Sequence, residues 1–202
     1  MINRLNLSVK ALCQFWLRDT SEPVVSSVLE YKYIWRSKWG NQKQGVLQPY
    51  LMACQLPQSH HDKIPVSVSI VEDKCQNATN NLKVTHNKPE EGEEKQKFAV
   101  CVKGLDFPHD DLSIKLIEWF EVLTALGADK IFLYNLDVHP NITKVLDYYS
   151  NQGVVDVRPL SLPGYQPNLE TLQNMYLKNR RGHKRLNELI PYNDCFYRNI
   201  YR

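Results

Sequence analysis

Residues 98–158 read FAVCVKGLDFPHDDLSIKLIEWFEVLTALGADKIFLYNLDVHPNITKVLDYYSNQGVVDVR. Phe98–Val102 is a short apolar run of the kind that forms a buried strand. His109, Asp110 and Asp111 then offer N-cap groups. Leu112, Leu116, Trp119, Phe120 and Leu123 recur at helical spacing up to Gly127, a natural C′ residue. Lys130–Tyr134 reads as a second strand. Pro140 suits a first helical turn, Ile142, Val145, Leu146 and Tyr149 share one face, and Gly153 ends the helix. Val154–Arg158 is a third strand. The order β-α-β-α-β with short connections predicts an α/β fold, a parallel sheet with helices packed on it. Such sheets bind ligands outside the carboxyl ends of their strands. Here those ends are Lys103–Asp106, Asn135–Asp137 with His139, and the loop Pro159–Asn168. Leu169–Tyr201 is helix-compatible, with Gly182 and Pro191 expected to break it into pieces.

The rest of the chain is less regular. Residues 1–71 form an aromatic-rich arm in which Val66–Val71 alternates apolar and polar, as a half-buried strand does. Residues 72–97 hold few large apolar groups and read as a linker, which leaves 98–202 as the main domain. At 43% hydrophobic and 23% charged the composition is that of a globular chain, not a disordered one. A net charge of +3 is too mild to argue for nucleic acid. No uncharged apolar run reaches the ~18 residues of a membrane span, and no signal peptide is legible. Sequons at Asn6, Asn77 and Asn141 hint at a secretory route. Five cysteines forbid a fully paired framework. No Cys-x-x-Cys or His-x-x-x-His spacing marks zinc, so free thiols and disulfides stand about even.

Candidate chemistry clusters at the strand ends. The loop after the first strand lacks both glycine-rich phosphate fingerprints, so side chains would have to hold any nucleotide. Lys103 and Asp106 stand where a phosphate or sugar could be met, with a surface lysine and a turn aspartate as the plain alternative. Asp137 and His139 could contact a base or ribose; helix-start chemistry explains them slightly better. The run Arg180–Arg185, with Lys184, could grip a diphosphate through guanidinium forks or could be a solvated helix face. Asn193 and Asp194 read either as a helix cap or as a sugar contact. Asp110 and Asp111 are better caps than metal ligands.

Three strings carry a resemblance: FAVCVKGLDF, LIEWFEVLTALGADKIFLYNLDVHPNITKVLDYY and HKRLNELIPYNDCFYRNIYR. They closely resemble glycosyltransferase family 92, most strongly over 98–202 and more loosely upstream through VLEYKYIWRSKWGNQKQGVLQPYLMACQLP and KCQNATNNLKV. Gly104 and Leu186 depart from the Pro and Gln associated with those positions. The resemblance implies a Rossmann-like GT-A sheet, here cut before its end, behind an irregular β-containing arm. It implies a type II Golgi membrane protein that transfers a hexosyl group, galactosyl, from a UDP-sugar to a glycoprotein or glycolipid glycan. The family's anchor is not among these residues. Its divalent metal, manganese, is held by an Asp-x-Asp motif that would follow the Pro-Tyr-Asn-Asp-Cys block. The expectation is therefore a truncated chain, inactive alone, with no metal ligand and no assignable catalytic base. Donor contacts carried over are Lys103 and Asp106 on the first strand, with Lys184, Arg185, Asn193 and Asp194 facing the phosphates. In an oxidising lumen Cys54 could bridge Cys75, and Cys101 could bridge Cys195. The rival reading is a non-catalytic carbohydrate- or partner-binding module that stacks ligands on the aromatic arm.

Overall fold

The computed structural model describes residues 10–40, 43–87 and 97–200. It divides into two compact units at the boundary between His86 and Asn87. In the first unit five strands form one antiparallel sheet: β1 (Leu12–Trp16), β2 (Val24–Tyr33), β3 (Tyr50–Cys54), β4 (Ser67–Val71) and β5 (Leu82–Lys83), in the order β3-β2-β1-β4-β5. The β-containing arm is a five-stranded sheet, in which the strand expected near 66–71 is β4. Within the linker-like stretch, β5 pairs with β4, and residues 88–96 lie outside the described residues.

The first half of β2 pairs with β1 and the second half with β3, across an irregularity between Val28 and Glu30. In a flat sheet β1 and β3, on opposite sides of β2, would lie about 10 Å apart, two inter-strand spacings. The Cα atoms of Cys13 and Cys54 are only 6.3 Å apart and the two residues form a disulfide. The sheet therefore curls, and the curl gives Cys54 its partner. The expected Cys54–Cys75 bridge is corrected: Cys75 is an exposed free thiol in the turn after β4.

The second unit is built on a parallel sheet of β6 (Ala99–Phe107), β7 (Lys130–Val138) and β8 (Val155–Pro159), in that order. Helix α1 spans Ser113–Ala125 and α2 spans Pro140–Asn151. The apolar stripes read from the sequence meet one face of the sheet. Phe120 of α1 and Ile142, Val145, Leu146 and Tyr149 of α2 are buried there against Ile131, Leu133 and Val155. Gly127 and Gly153 end the helices at φ 92° and 77°, a region costly for residues with a Cβ. Asp111 acts two residues before α1: its carboxylate accepts from the Ser113 backbone N–H at 3.1 Å and from the Asn141 amide at 2.7 Å. Hydrogen bonds from Ser113 and Asn141 pull its carboxyl down to about 2. His139 is the N-cap of α2, its Nδ1 accepting from the Asn141 N–H at 3.2 Å.

The other face carries α3 (Glu170–Asn179) and α4 (Arg181–Asn199). The break between them falls at Arg180, with φ −115° and ψ 61°. Neither Gly182 nor Pro191 interrupts α4, contrary to expectation. Gly182 sits in the first turn, where helical hydrogen bonding is only starting. Pro191 removes one backbone bond, but its ring is fully buried, and that packing outweighs the lost donor. Cys195 packs with Phe132 and Tyr134 and is bonded to Cys101. Two ion pairs continue along the same line, Lys103 Nζ to Glu188 Oε1 at 2.9 Å and Lys184 Nζ to Asp106 Oδ2 at 3.9 Å. Among the described residues no helix is long and apolar enough to cross a membrane.

The Cys101–Cys195 bridge closes a 94-residue span, a separation at which a disulfide contributes about 2–5 kcal/mol. Replacing both cysteines by serine is expected to lower stability by about that amount, read as a reduced Tm and urea midpoint. A double mutant as stable as the parent would show that packing alone holds α4.

Candidate functional site

The carboxyl edge of the parallel sheet presents Asp106 at the end of β6, Asp137 at the end of β7 and Pro159 closing β8. In open α/β sheets this carboxyl edge is the ordinary ligand side. Asp106 is only 8% exposed. Its Oδ1 accepts from the Asn174 side-chain amide of α3 at 2.8 Å. Its Oδ2 is buried without a hydrogen bond, and the nearest cation, Lys184 of α4, stands 3.9 Å away. A narrow cavity of about 20 Å³ lies here, lined by Gly104, Asp106, Leu136, Leu160, Lys184 and Pro191 among others. Small-molecule pockets measure a few hundred Å³ or more, so the cavity admits one hydroxyl-sized group. The rest of any ligand must lie outside the strand ends.

Gly104 makes this crevice possible. A Cβ at position 104 would stand 3.0 Å from Leu136 Cδ1 and from Leu160 Cδ2, tighter than most carbon contacts, so both side chains would have to give way. The departure from Pro noted in the sequence therefore falls on the cavity wall. Beside it, burial pushes the Asp137 carboxyl up, and the negative charges of Glu170 and Asp106 add to the effect while His109 opposes it. Asn135, one position before Leu136 on β7, also has a buried Oδ1 without a hydrogen bond. Gln166 and Asn187 exchange amide hydrogen bonds at 2.8 and 3.5 Å, tying the loop before α3 to α4.

Of the residues singled out in the sequence, Lys103, Asp106 and Lys184 come together along the β6–α4 seam, with Asp137 electrostatically coupled to Asp106. Arg185 is exposed and does not line the cavity. Asn193 and Asp194 lie two to three turns further along α4. Asn193 donates to the Leu189 carbonyl at 2.7 Å. Asp194 accepts from Tyr134 Oη at 2.6 Å and from the Arg198 guanidinium at 2.8 and 3.0 Å. Burial pushes the Asp194 carboxyl up, but the bonds from Arg198 and Tyr134 outweigh it and hold the group below its usual range. Sequence reading missed Asn174 and Glu188; α3 carries Asn174 on the buried stripe it shares with Gln173 and Leu177, a polar residue at a core position. Asn77 is exposed, Asn141 is partly buried and engaged with Asp111, and Asn6 lies outside the described residues.

Among the described residues no three His, Cys, Asp or Glu side chains converge on a metal-sized site. Asp106 is occupied by Asn174 and faces a lysine, an arrangement for a hydrogen-bond donor rather than a divalent cation. The described residues therefore do not fit the metal that the resemblance implies, and none is assigned to it.

Two outcomes follow from this geometry. Gly104→Ala is expected to cost about 1–3 kcal/mol by overpacking, measured by urea unfolding; an unchanged midpoint would mean that Leu136 and Leu160 yield freely. Asp194, held below its unfolded value, contributes stability that is present above about pH 4 and fades as pH falls through its folded value. Asp194→Asn should flatten the acid limb of a Tm–pH profile, and an unaltered limb would remove Asp194 from it.

A search of curated proteins finds no match for this chain. The family model of glycosyltransferase family 92 matches residues 96–202, more than half of the chain and the whole of the parallel sheet with its four helices. Members of such a family transfer sugar from a donor to a glycan acceptor. On that match, and with an α/β sheet whose ligand edge carries the residues above, the chain belongs to glycosyltransferase family 92.

Proposed function

We propose that the second unit is part of a GT-A type catalytic domain that transfers a hexosyl group, galactosyl, from a UDP-sugar to a glycoprotein or glycolipid glycan in the Golgi. The observation that carries the reading is the pairing of Asp106 with Lys184 at the carboxyl edge. A buried carboxylate oxygen without a hydrogen bond accepts from a hydroxyl or N–H, and an ammonium 3.9 Å away meets an anion. A nucleotide sugar offers both groups within one molecule. Lys103, paired with Glu188 at the same seam, can exchange that partner for a phosphate oxygen, since both ends are partly exposed.

Metal-assisted departure of the diphosphate, with manganese as the ion, stays a proposal of the family reading, and no described residue is placed in that role. That these 202 residues by themselves transfer no sugar belongs to the same proposal; a radiolabelled galactose-transfer assay with manganese checks it, and turnover by the purified chain would overturn it.

Donor binding is the direct test. At UDP or UDP-galactose concentrations 100-fold above Kd, the linked stabilisation is about 2.7 kcal/mol, a Tm rise of several degrees. Asp106→Asn and Lys184→Ala are each expected to weaken binding about tenfold, the loss of one charge-assisted contact. Glycan binding with no response to UDP would favour the non-catalytic module and overturn the reading.

A further inference from the structure

We propose that Asn174 is a positioning residue of the donor site: it holds Asp106 so that one carboxylate oxygen is reserved for a single hydroxyl or N–H of the ligand. The inference rests on the nucleotide-sugar reading above. A carboxylate has about four lone-pair directions to satisfy, and in a buried setting they are normally filled. At Asp106 the filling is one-sided. Asn174 takes Oδ1 at 2.8 Å, while Oδ2 has no hydrogen bond and looks toward Lys184. Asn174 is 3% exposed and Asp106 8%, so neither side chain has room to swing away. A half-turn of the carboxylate only exchanges two equivalent oxygens, and any smaller rotation would forfeit the amide bond.

The flank of Asn174 is also fixed. It lies on the buried side of α3 with Gln173 and Leu177, and the loop leading into α3 is closed by Asn168, whose side chain bonds both the N–H and the carbonyl of Leu162 at 2.5 and 2.9 Å. The cavity at Asp106 is about 20 Å³, enough for one small donor group. Asn174 thus acts through Asp106 and touches no ligand atom. It fixes where the remaining oxygen stands and in which direction it faces.

The test measures nucleotide binding by calorimetry on the full chain, parent and Asn174→Ala, with circular dichroism confirming folding. The probes are UDP, 2′-deoxy-UDP, 3′-deoxy-UDP and CDP, each of the last three lacking or replacing one donor group. The parent is expected to bind UDP about tenfold more tightly than at least one of them. Asn174→Ala is expected to bring that ratio to within about twofold, because a carboxylate free to turn no longer discriminates. A merely structural asparagine would weaken all four alike, and a retained ratio in the variant overturns the proposal. So does equal binding of all four probes by the parent, a result independent of whether the variant folds. Asn174→Asp, of nearly the same volume but unable to donate when ionised, is measured alongside and should also lose the ratio. Failure of the parent to bind any nucleotide overturns the functional reading and this inference together, whereas UDP binding without dependence on Asn174 overturns this inference alone.

Discussion

The second unit depends on the seam between β6 and α4. Three links join them: the disulfide of Cys101 with Cys195, the ion pair of Lys103 with Glu188, and the looser one of Asp106 with Lys184. They run in opposite order along the two elements, so α4 lies antiparallel to the strand. From position 101 to 106 an extended chain covers about 16 Å; from 195 back to 184 a helix covers about the same. The spacings agree, so all three links form without stretching either element. A slip of α4 by one turn, about 5.4 Å, would break every one of them. The covalent link sits deepest, with Cys195 fully buried, and the loosest link sits at the ligand edge. The tightest link therefore lies farthest from the carboxyl edge and the loosest nearest to it.

That gradient explains how two helices meet over one carboxylate. The backbone leaves helical geometry at Arg180, which lets α3 and α4 approach Asp106 from different directions, one with an amide and the other with an ammonium. Tyr176 and His183 bridge the break through a hydrogen bond between Oη and Nδ1. Burial and the nearby Arg180 push the His183 imidazole down, which favours the neutral ring across the bridge. The Gln166–Asn187 exchange adds a third tie, from the loop before α3 to α4. With these ties made, the walls around Asp106 are set before any ligand arrives, and binding need not order them.

Much of the parallel unit was legible because its signals are local. Helical spacing in 112–123 and 142–149, closed by Gly127 and Gly153, names the faces that are buried. Of the first unit only the strand at 66–71, now β4, was legible, for a physical reason. In β1 the consecutive residues Cys13, Gln14 and Phe15 are all buried, so no alternation between water and core marks the strand. The polar member of that run is satisfied by carbonyls of Lys74 and Gln76, about sixty residues away. The Cys13–Cys54 bridge was hidden for a related reason, since it needs a curled sheet that no local pattern announces. Pro191 misled because a helix-breaker rule treats the lost hydrogen bond and omits burial of the ring. At the candidate site, Asp106 and Lys184 could be picked out by their place at a strand end and in a basic run. Asn174 could not, because its only signature is a partner 68 residues back in the chain.

Two aspartates at the seam, Asp194 on α4 and Asp106 facing it from β6, differ in how completely their oxygens are filled. Asp194 has both oxygens filled, by Tyr134 and by the two-pronged Arg198, and burial together with Asp194 pushes the Tyr134 hydroxyl well up in turn. Such a cluster is complete; a ligand entering it would have to displace a bond as strong as the one it makes. Asp106 is buried more deeply at its side chain than Asp194, 4% against 34% exposed, yet it keeps one oxygen without a hydrogen bond. Leaving a buried polar atom unsatisfied costs roughly 1–3 kcal/mol, more for a charged one. The crevice beside Asp106 cannot be filled from position 104, where a Cβ would already stand 3.0 Å from Leu136 and Leu160. On the proposed function, an acceptor left unfilled at the carboxyl edge recovers that energy from a bound donor group. The seam holds the charge in place, and on the proposed function a donor group of the ligand completes it.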